Sequence, residues 1–297
     1  MMPVLAPVND RFFLGLLDTL LPRRNGLAAM LQAYFDASRR PSGAFCVAGY
    51  AFAKPQVKKF DKEWWSIFGA YGGCHMKELT QRRGRFKTVN PSQAGELLKR
   101  GVQIIKRRIS FGVTISCDVN EMNALLPTWI GGFQHAYPVC CHLAMHALGN
   151  LVRKSGHDDE IAYFFESGDE YSGVAHNFMA RAIDTPELKE SYRYGSHSFI
   201  GKDKALPLQA ADVLAWEWAK YLDETVTRNI RLMRKSLAAL LSENTEYDSK
   251  RYGVNHVTGD ALKRFADGVA KLGLLQLEEQ KAAKAKPPSA SSPSGAE

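Results

Sequence analysis

The chain has 297 residues, of which 45% are hydrophobic and 24% are charged, and these proportions exclude a fibrous protein and a wholly disordered one. The formal net charge of +8 suits a protein that attracts polyanions, nucleic acids above all, although charge does not determine a fold. The five cysteines include no C-x-x-C pair, so we expect a reducing, cytoplasmic compartment and no disulfide framework.

Residues 1–29 are expected to lie outside the folded core. Their apolar segment 12–21 is interrupted by Asp18, and no small-residue cleavage site follows it. The segment is therefore a poor match to a transmembrane helix and to a signal peptide. Two interpretations stay open: a short amphipathic arm, or sequence upstream of a working start at Met30.

The chain ends in a segment of very simple composition. Residues 281–297 contain only Ala, Lys, Pro, Ser, Gly and Glu, a mixture that cannot form an apolar core. We therefore expect a disordered tail over 276–297. It would follow a single domain over 30–275 that includes a C-terminal helical extension.

Strand and helix patterns alternate through the first half of this domain. Short apolar runs at 31–38 and 43–53, separated by turn residues, predict a β-hairpin. Apolar residues at helical spacing over 57–71, and a second series that opens at Pro91, predict two amphipathic helices. Strict alternation over 109–117 predicts a strand with one buried face.

The second half continues the alternation. Helices are predicted over 138–154 and 171–183 and from Pro207 onward, with short strands at 160–166 and 197–200. Together with the first half, this order predicts an α/β fold in which a central mixed sheet is flanked by helices.

Helical spacing continues near the end of the domain. A helix over 225–241 is expected to turn Met233 and Leu237 inward and to expose the basic residues of 228–235 as a solvated face. A last helix is predicted over 259–272. These two helices form the extra C-terminal part of the fold.

Three carboxylates stand where apolar residues are expected. Asp36 and Glu166 each end an apolar strand, and Asp212 lies on the core-facing stripe of the helix that begins at Pro207. An ionised group in such a place is costly unless it is paired, hydrogen-bonded or bound to a metal. If the strand ends are adjacent, the three groups converge at one edge of the sheet. There they would hold Mg²⁺ or Mn²⁺ for phosphodiester cleavage.

Other interpretations of single residues stay open. Each of the three carboxylates could instead be a cap or a satisfied hydrogen-bonding group. Asp118 could join the cluster, although a capping role at its strand end is favoured. His142 and His146 are four residues apart on one helix, but no third ligand is evident, so we interpret them as helix-face or core residues.

Four short blocks resemble the uncharacterised bacterial and phage family DUF 3800. They are YFDAS at 34–38, HMKEL at 75–79, YFFESG at 163–168 and LQAAD at 208–212, and the resemblance covers roughly 31–222. It implies an RNase H-like three-layer domain with an acidic metal site.

The resemblance also assigns roles within that site. Asp36, Glu166 and Asp212 would be the metal ligands, and Glu78 would be a fourth catalytic residue or a near neighbour. The family often has Glu directly after the first Asp, whereas this chain has Ala37, which removes a possible ligand.

Residues next to Glu78 are candidates for contact with the substrate. His75 could transfer a proton, because its reference pKa lies close to neutrality. The segment that follows could guide a polyanion to the metal through phosphate contacts. Its basic residues are Arg82, Arg83, Arg85 and Lys87.

These patterns predict a phosphodiester hydrolase that depends on Mg²⁺ or Mn²⁺ and acts on nucleic acid, either RNA or DNA. We expect no association with a membrane. Its rate would come from a metal-activated water and from electrostatic stabilisation of the transition state. An alternative is a catalytically inactive RNase H-like module that binds nucleic acid or protein. A further alternative is a hydrolase of some other phosphorylated molecule.

Overall fold

The computed structural model describes residues 30–125, 135–227, 232–243, 246–247, 250–264 and 267. It shows an α/β fold with a six-stranded mixed sheet flanked by helices. The strands are β1 (Leu31–Arg39), β2 (Ala44–Ala53), β3 (Phe111–Asp118), β4 (Ile161–Glu166), β5 (Tyr194–Ile200), β6 (Ser242–Glu243), β7 (Glu246–Tyr247) and β8 (Tyr252–Val257). The helices are α1 (Lys54–Phe68), α2 (Met76–Gln81), α3 (Pro91–Arg108), α4 (Val119–Leu125), α5 (Ala136–Lys154), α6 (Ser172–Asp184), α7 (Pro186–Ser191), α8 (Leu206–Val226) and α9 (Lys235–Leu241).

The strand order in the sheet is β5-β4-β1-β2-β3-β8. β2 is antiparallel to both of its neighbours, whereas β1, β4 and β5 are parallel to one another, as are β3 and β8. The strands β6 and β7 form a separate two-stranded pair. β1 therefore lies inside the sheet, and its carboxyl end is next to the carboxyl end of β4.

Both faces of the sheet are covered, which makes the fold three layers deep. The apolar faces of α1, α3, α8 and α9 pack on one side, around Trp64 and Leu214. α5 and α6 pack on the other side, around Met145 and Met179. None of the described helices is both long and apolar enough to cross a membrane.

The structure confirms most of the predicted elements. The hairpin is β1 and β2, the helices predicted from 57, 91, 138, 171 and 207 are α1, α3, α5, α6 and α8, and the short strands are β4 and β5. The domain boundaries stay a prediction. The expected arm at 1–29 and tail at 276–297 lie outside the described residues.

The expectation of one buried face for the third strand was wrong. β3 is buried on both faces, including its polar residues Thr114 and Ser116. The reason is that α8 covers the polar side, where the indole N–H of Trp218 donates a hydrogen bond to Ser116 Oγ at 3.0 Å. The small hydroxyl side chains of this strand are polar but fit beneath a helix. A strand with one face in solvent has the same alternation of apolar and polar residues, so the sequence alone does not distinguish the two cases.

The continuous helix predicted over 225–241 was also wrong. Residues 232–234 are not helical, and α9 begins only at Lys235. Leu237 is buried as expected, but Met233 is 37% exposed because it precedes the helix. Arg228 and Arg231 of the predicted basic face lie outside the described residues. Arg234, expected on the solvated face, instead pairs with the buried Glu217 at 3.2 Å. The last predicted helix is helical over 259–264, and its residues 265–266 and 268–272 lie outside the described residues.

Candidate functional site

Strand pairing brings Asp36 next to Glu166. Phe35 of β1 is the parallel partner of Phe165 in β4, so the acids that follow them lie at the same level. Because side chains alternate along a strand, both acids face the same side of the sheet as Tyr34, which packs in the layer with α8. The two strand-end carboxylates therefore point toward α8.

The helix α8 carries the third carboxylate. It begins at Leu206 with Pro207 in its first turn, where the missing N–H costs nothing, and it packs across β1 and β2. Asp212 Oδ2 accepts a hydrogen bond of 2.8 Å from the Met76 backbone N–H and lies 3.2 Å from His75 Nδ1. The segment before α2 thus fixes the orientation of the Asp212 side chain.

The three carboxylates surround one lysine. Lys202 Nζ lies 2.8 Å from Asp36 Oδ2, 3.3 Å from Glu166 Oε1 and 3.4 Å from Asp212 Oδ1. No two of these oxygens can be further apart than twice the longest of these distances, which is below the roughly 8 Å that would prevent them from sharing closely spaced ions. We call Asp36, Glu166 and Asp212 the carboxylate cluster.

Lys202 had no signal in the sequence analysis. It lies two residues after Ile200, the last residue of β5, and Ile200 is the parallel partner of Glu166. A lysine after a strand is ordinary, so its place becomes apparent only once β5 is known to lie beside β4. The carboxyl ends of the parallel strands β1, β4 and β5 therefore bring Lys202 together with Asp36 and Glu166.

The two buried aspartates differ in their electrostatics. Burial raises the pKa of Asp36 well above its usual range; Lys202 opposes this, while Asp212 and Glu166 add to it. Burial also disfavours ionised Asp212, but the contact with His75, the Lys202 ammonium and the hydrogen bond from the Met76 N–H outweigh it and lower the pKa to about 2. Of the two aspartates, Asp36 is therefore the one whose charge is less well compensated.

Lys202 stays cationic in this setting. Burial disfavours its ammonium form, but Asp36, Asp212 and Glu166 together outweigh burial and raise the pKa of the amine. One positive charge thus faces three acidic side chains. A cation of higher valence would therefore balance the negative charge of these side chains more fully than the single ammonium does.

The donor set suits a hard divalent cation. Its ligands would be carboxylate oxygens, and the buried Asp36 Oδ2 has the Lys202 ammonium as its partner at 2.8 Å. Among the described residues, no group of three or more His, Cys, Asp or Glu side chains is already arranged to hold a metal ion. The residues therefore fit such an ion chemically, provided that it takes the place of the Lys202 ammonium.

Glu78 makes an ion pair beside the cluster. Its carboxylate lies 2.9 Å from Arg85 Nε, and Arg85 Nη1 donates to the Gly72 carbonyl at 2.8 Å. Gly84 has a positive φ of 53°, and a side chain there would collide with the Glu78 carboxylate. These contacts hold the loop after α2 in place, and a catalytic role for Glu78 stays a prediction.

The other predicted substrate contacts lie on the surface. His75 is 41% exposed, so a ligand can reach its ring while the same ring contacts Asp212. The side chains of Arg82, Arg83 and Lys87 are exposed. Their position after α2 leaves them available to phosphate groups, and their role as substrate contacts stays a prediction.

A small cavity opens beside Glu166. It has a volume of about 280 Å³ and is lined by Ala37, Tyr137, Glu166, Ser167, Gly168 and Asp169. Glu166 is the most exposed carboxylate of the cluster, at 33%, compared with 0% for Asp36 and 9% for Asp212. Glu166 is therefore the carboxylate of the cluster that is most accessible to a ligand from solvent.

The remaining candidates have ordinary structural partners. Asp118 Oδ1 accepts a hydrogen bond of 2.8 Å from the Asn120 N–H, which confirms the capping role. His142 bonds to the Tyr192 hydroxyl, and His146 Nδ1 lies 2.6 Å from Ser191 Oγ. Burial lowers the pKa of His142 to about 4, as expected for a neutral core histidine.

Sequence reasoning also left Gln209 without a role. Its buried Oε1 accepts hydrogen bonds of 2.8 Å from Trp64 Nε1 and from the Cys74 N–H, and its Nε2 donates to the Lys202 carbonyl at 3.2 Å. One side chain thereby joins α1, the segment before α2 and the turn that carries Lys202. Its signal in the sequence is its place in the LQAAD block, three residues before Asp212.

Comparison with known proteins assigns the chain to no group: no protein-family model matches it, and no curated protein is significantly similar to it.

Proposed function

We propose that the chain is a divalent-metal-dependent phosphodiester hydrolase of RNase H-like architecture that acts on nucleic acid. The observation that supports it best is the convergence of Asp36, Glu166 and Asp212 at one edge of the sheet. Buried acids that repel one another cost stability, and such costs concentrate at functional sites. The mixed sheet, with β2 as the one strand that opposes the other five, is compatible with that architecture.

The residues divide into two tasks. The carboxylate cluster would hold Mg²⁺ or Mn²⁺, which supplies an activated water and stabilises the charge of the leaving oxygen. His75 lies at the open side of Asp212 and would move a proton at its ring nitrogen. The exposed cations Arg82, Arg83 and Lys87 would bind phosphates beyond the reacting one, in keeping with the net charge of +8.

A second candidate is an inactive module that binds nucleic acid or protein. It is favoured by Lys202, whose ammonium already neutralises part of the cluster, and by Ala37, which lines the cavity at a position where the resembled family often has Glu. The two candidates differ in one measurable property, because only the hydrolase cuts its ligand.

A cleavage panel tests the proposed function. Labelled RNA, DNA and hybrid duplex are incubated with the wild-type protein in Mg²⁺, Mn²⁺ or EDTA, beside Asp212→Asn as a matched variant. We expect cleavage of at least one substrate with metal, none in EDTA, and none by the variant. Cleavage that persists in EDTA or in Asp212→Asn would contradict the proposal, and salt-sensitive binding without cleavage would favour the inactive module.

Replacing Arg82, Arg83 and Lys87 together by alanine is expected to weaken nucleic-acid binding at every sequence. Each lost phosphate contact changes the slope of log affinity against log salt by about 0.7–0.9, so the triple variant should lose a slope of about 2–3. The measurement is a binding titration with a labelled oligonucleotide in EDTA at several salt concentrations.

The matched control removes the same charge elsewhere. Lys58, Lys59 and Lys62 lie exposed on α1, and their replacement by alanine also lowers the net charge by three. We expect a smaller loss of affinity and little change in slope. Equal slopes for the two triple variants would show that the loop after α2 is not a phosphate-binding segment.

A further inference from the structure

We propose that Lys202 is an internal counter-ion, which holds the carboxylate cluster together in the metal-free protein and gives up its place when a divalent cation binds. This inference rests on the proposed function and adds a positioning residue to it. It explains how the chain keeps three acids within reach of one ion before that ion arrives.

The first argument is geometric. The Lys202 ammonium is within 3.4 Å of all three carboxylates, which places it in the space that a shared metal ion would need. Two cations cannot occupy one such space. A divalent ion that uses these oxygens must therefore displace the ammonium.

The second argument concerns which part of Lys202 can move. Its backbone lies in a turn closed by the Lys204 N–H and the Gly201 carbonyl at 3.0 Å, and its own carbonyl accepts from Gln209 Nε2 at 3.2 Å. The side chain is a flexible four-carbon stem that ends in a point charge. Displacement thus needs only side-chain rotation, with the backbone held in place.

The third argument gives the direction of that movement. Asp36 is fully enclosed and Asp212 nearly so, whereas Glu166 is 33% exposed and lines the cavity that opens to solvent. The ammonium can therefore leave along Glu166 while it keeps a carboxylate partner and gains water. A metal ion enters by the same route.

The fourth argument is the charge balance. One ammonium faces three carboxylates, and Lys202 Nζ lies 2.8 Å from Asp36 Oδ2, which is itself buried. Breaking up such a group by removing its cation is strongly destabilising. Without metal, Lys202 should therefore stabilise the fold, and with metal it should compete for the same oxygens.

The test compares Lys202→Met with wild type in two assays without nucleic acid. Calorimetry with Mn²⁺ should show tighter binding by the variant, by about 5–150-fold, since a competing cation has been removed. Thermal melts should show the variant less stable in EDTA, by roughly 5 °C or more, with most of the difference recovered in excess Mn²⁺. Lys204→Met, in the same turn and exposed, should match wild type in both assays.

Lys202→Arg covers the case in which the methionine variant does not fold. A guanidinium binds carboxylates through two parallel hydrogen bonds and is harder to displace, so this variant should bind Mn²⁺ more weakly than wild type. Equal or weaker Mn²⁺ binding by Lys202→Met, or unchanged binding by Lys202→Arg, would overturn the inference.

The two proposals fail separately. Tighter Mn²⁺ binding by Lys202→Met without any nucleic-acid cleavage by wild type supports the counter-ion and removes the proposed function. Metal-dependent cleavage by wild type with unchanged Mn²⁺ affinity in the Lys202 variants does the reverse. If none of the proteins takes up Mn²⁺, both are overturned.

Discussion

Asp36→Asn should melt at a higher temperature than the wild-type protein in EDTA and should lose metal-dependent cleavage. Asn removes a buried charge whose ionisation is disfavoured by burial and by two neighbouring acids. Its Oδ1 can keep the 2.8 Å hydrogen bond from the Ala37 N–H. Its amide nitrogen replaces Oδ2, which lies 2.8 Å from Lys202 Nζ, so the ammonium must shift toward Glu166 and Asp212 while the amide N–H donates to Glu166. Lys202 keeps Glu166 and Asp212 as partners.

The expected gain is roughly 1–2 kcal/mol, which corresponds to a few degrees for a domain of this size. If the proposed function holds, the cleavage rate should fall on the order of 10²–10³-fold, since the variant would lack a charged metal ligand. Asp118→Asn is the control: its Oδ1 can keep the hydrogen bond from the Asn120 N–H at the end of β3, so both the melting temperature and cleavage should stay close to wild type. A lower melting temperature for Asp36→Asn would show that Lys202 compensates Asp36 fully.

The pH dependence of stability gives a second measurement of the same effect. A carboxyl whose pKa is raised on folding binds protons more tightly in the folded state, so stability falls as pH rises from its ordinary value of 3.8 through the raised value. Asp212 acts in the opposite sense: its contribution is complete above 3.8 and is lost as pH falls toward about 2. Melts between pH 4 and 8 should therefore decline with pH in wild type and decline less in Asp36→Asn.

The acids of the site could be predicted because each breaks a local pattern. Asp36 and Glu166 end apolar strands, and Asp212 interrupts an apolar helix face. Burying such a carboxylate is unfavourable unless another group compensates its charge, so each position indicates a site with a partner. Their meeting point follows from parallel pairing of β1 with β4, which an alternating strand and helix order already favours.

The rest of the site depends on contacts between distant segments, which leave no local signal. Lys202 follows β5 and reaches the cluster only because β5 pairs with β4. The strand β8 escaped prediction because Gly253, Asn255 and His256 dilute its apolar pattern; it lies at the sheet edge and pairs only with β3.

Gln209→Leu should be the most destabilising single change at this site, at roughly 3–5 kcal/mol. Leucine matches the volume of glutamine but leaves the Trp64 indole N–H and the Cys74 N–H without their acceptor and the Lys202 carbonyl without its donor. Each buried group left unsatisfied costs about 1–3 kcal/mol. Gly73, with a φ of +111°, lies so close to Gln209 that the loop has no slack to supply other partners.

Urea unfolding, followed through tryptophan fluorescence, measures this cost, with Gln93→Leu as the matched control. Gln93 Oε1 accepts a hydrogen bond from the Asn90 N–H in the exposed capping box of α3, while the Gln93 backbone N–H donates to Asn90 Oδ1. The substitution removes only the first bond, which water can replace, so it should cost about 1 kcal/mol or less. Because Gln209 holds both the His75 segment and the Lys202 turn against Asp212, its variant should also bind Mn²⁺ more weakly at temperatures where it is still folded. Equal unfolding free energies for the two glutamine variants would show that Gln209 does not join these segments.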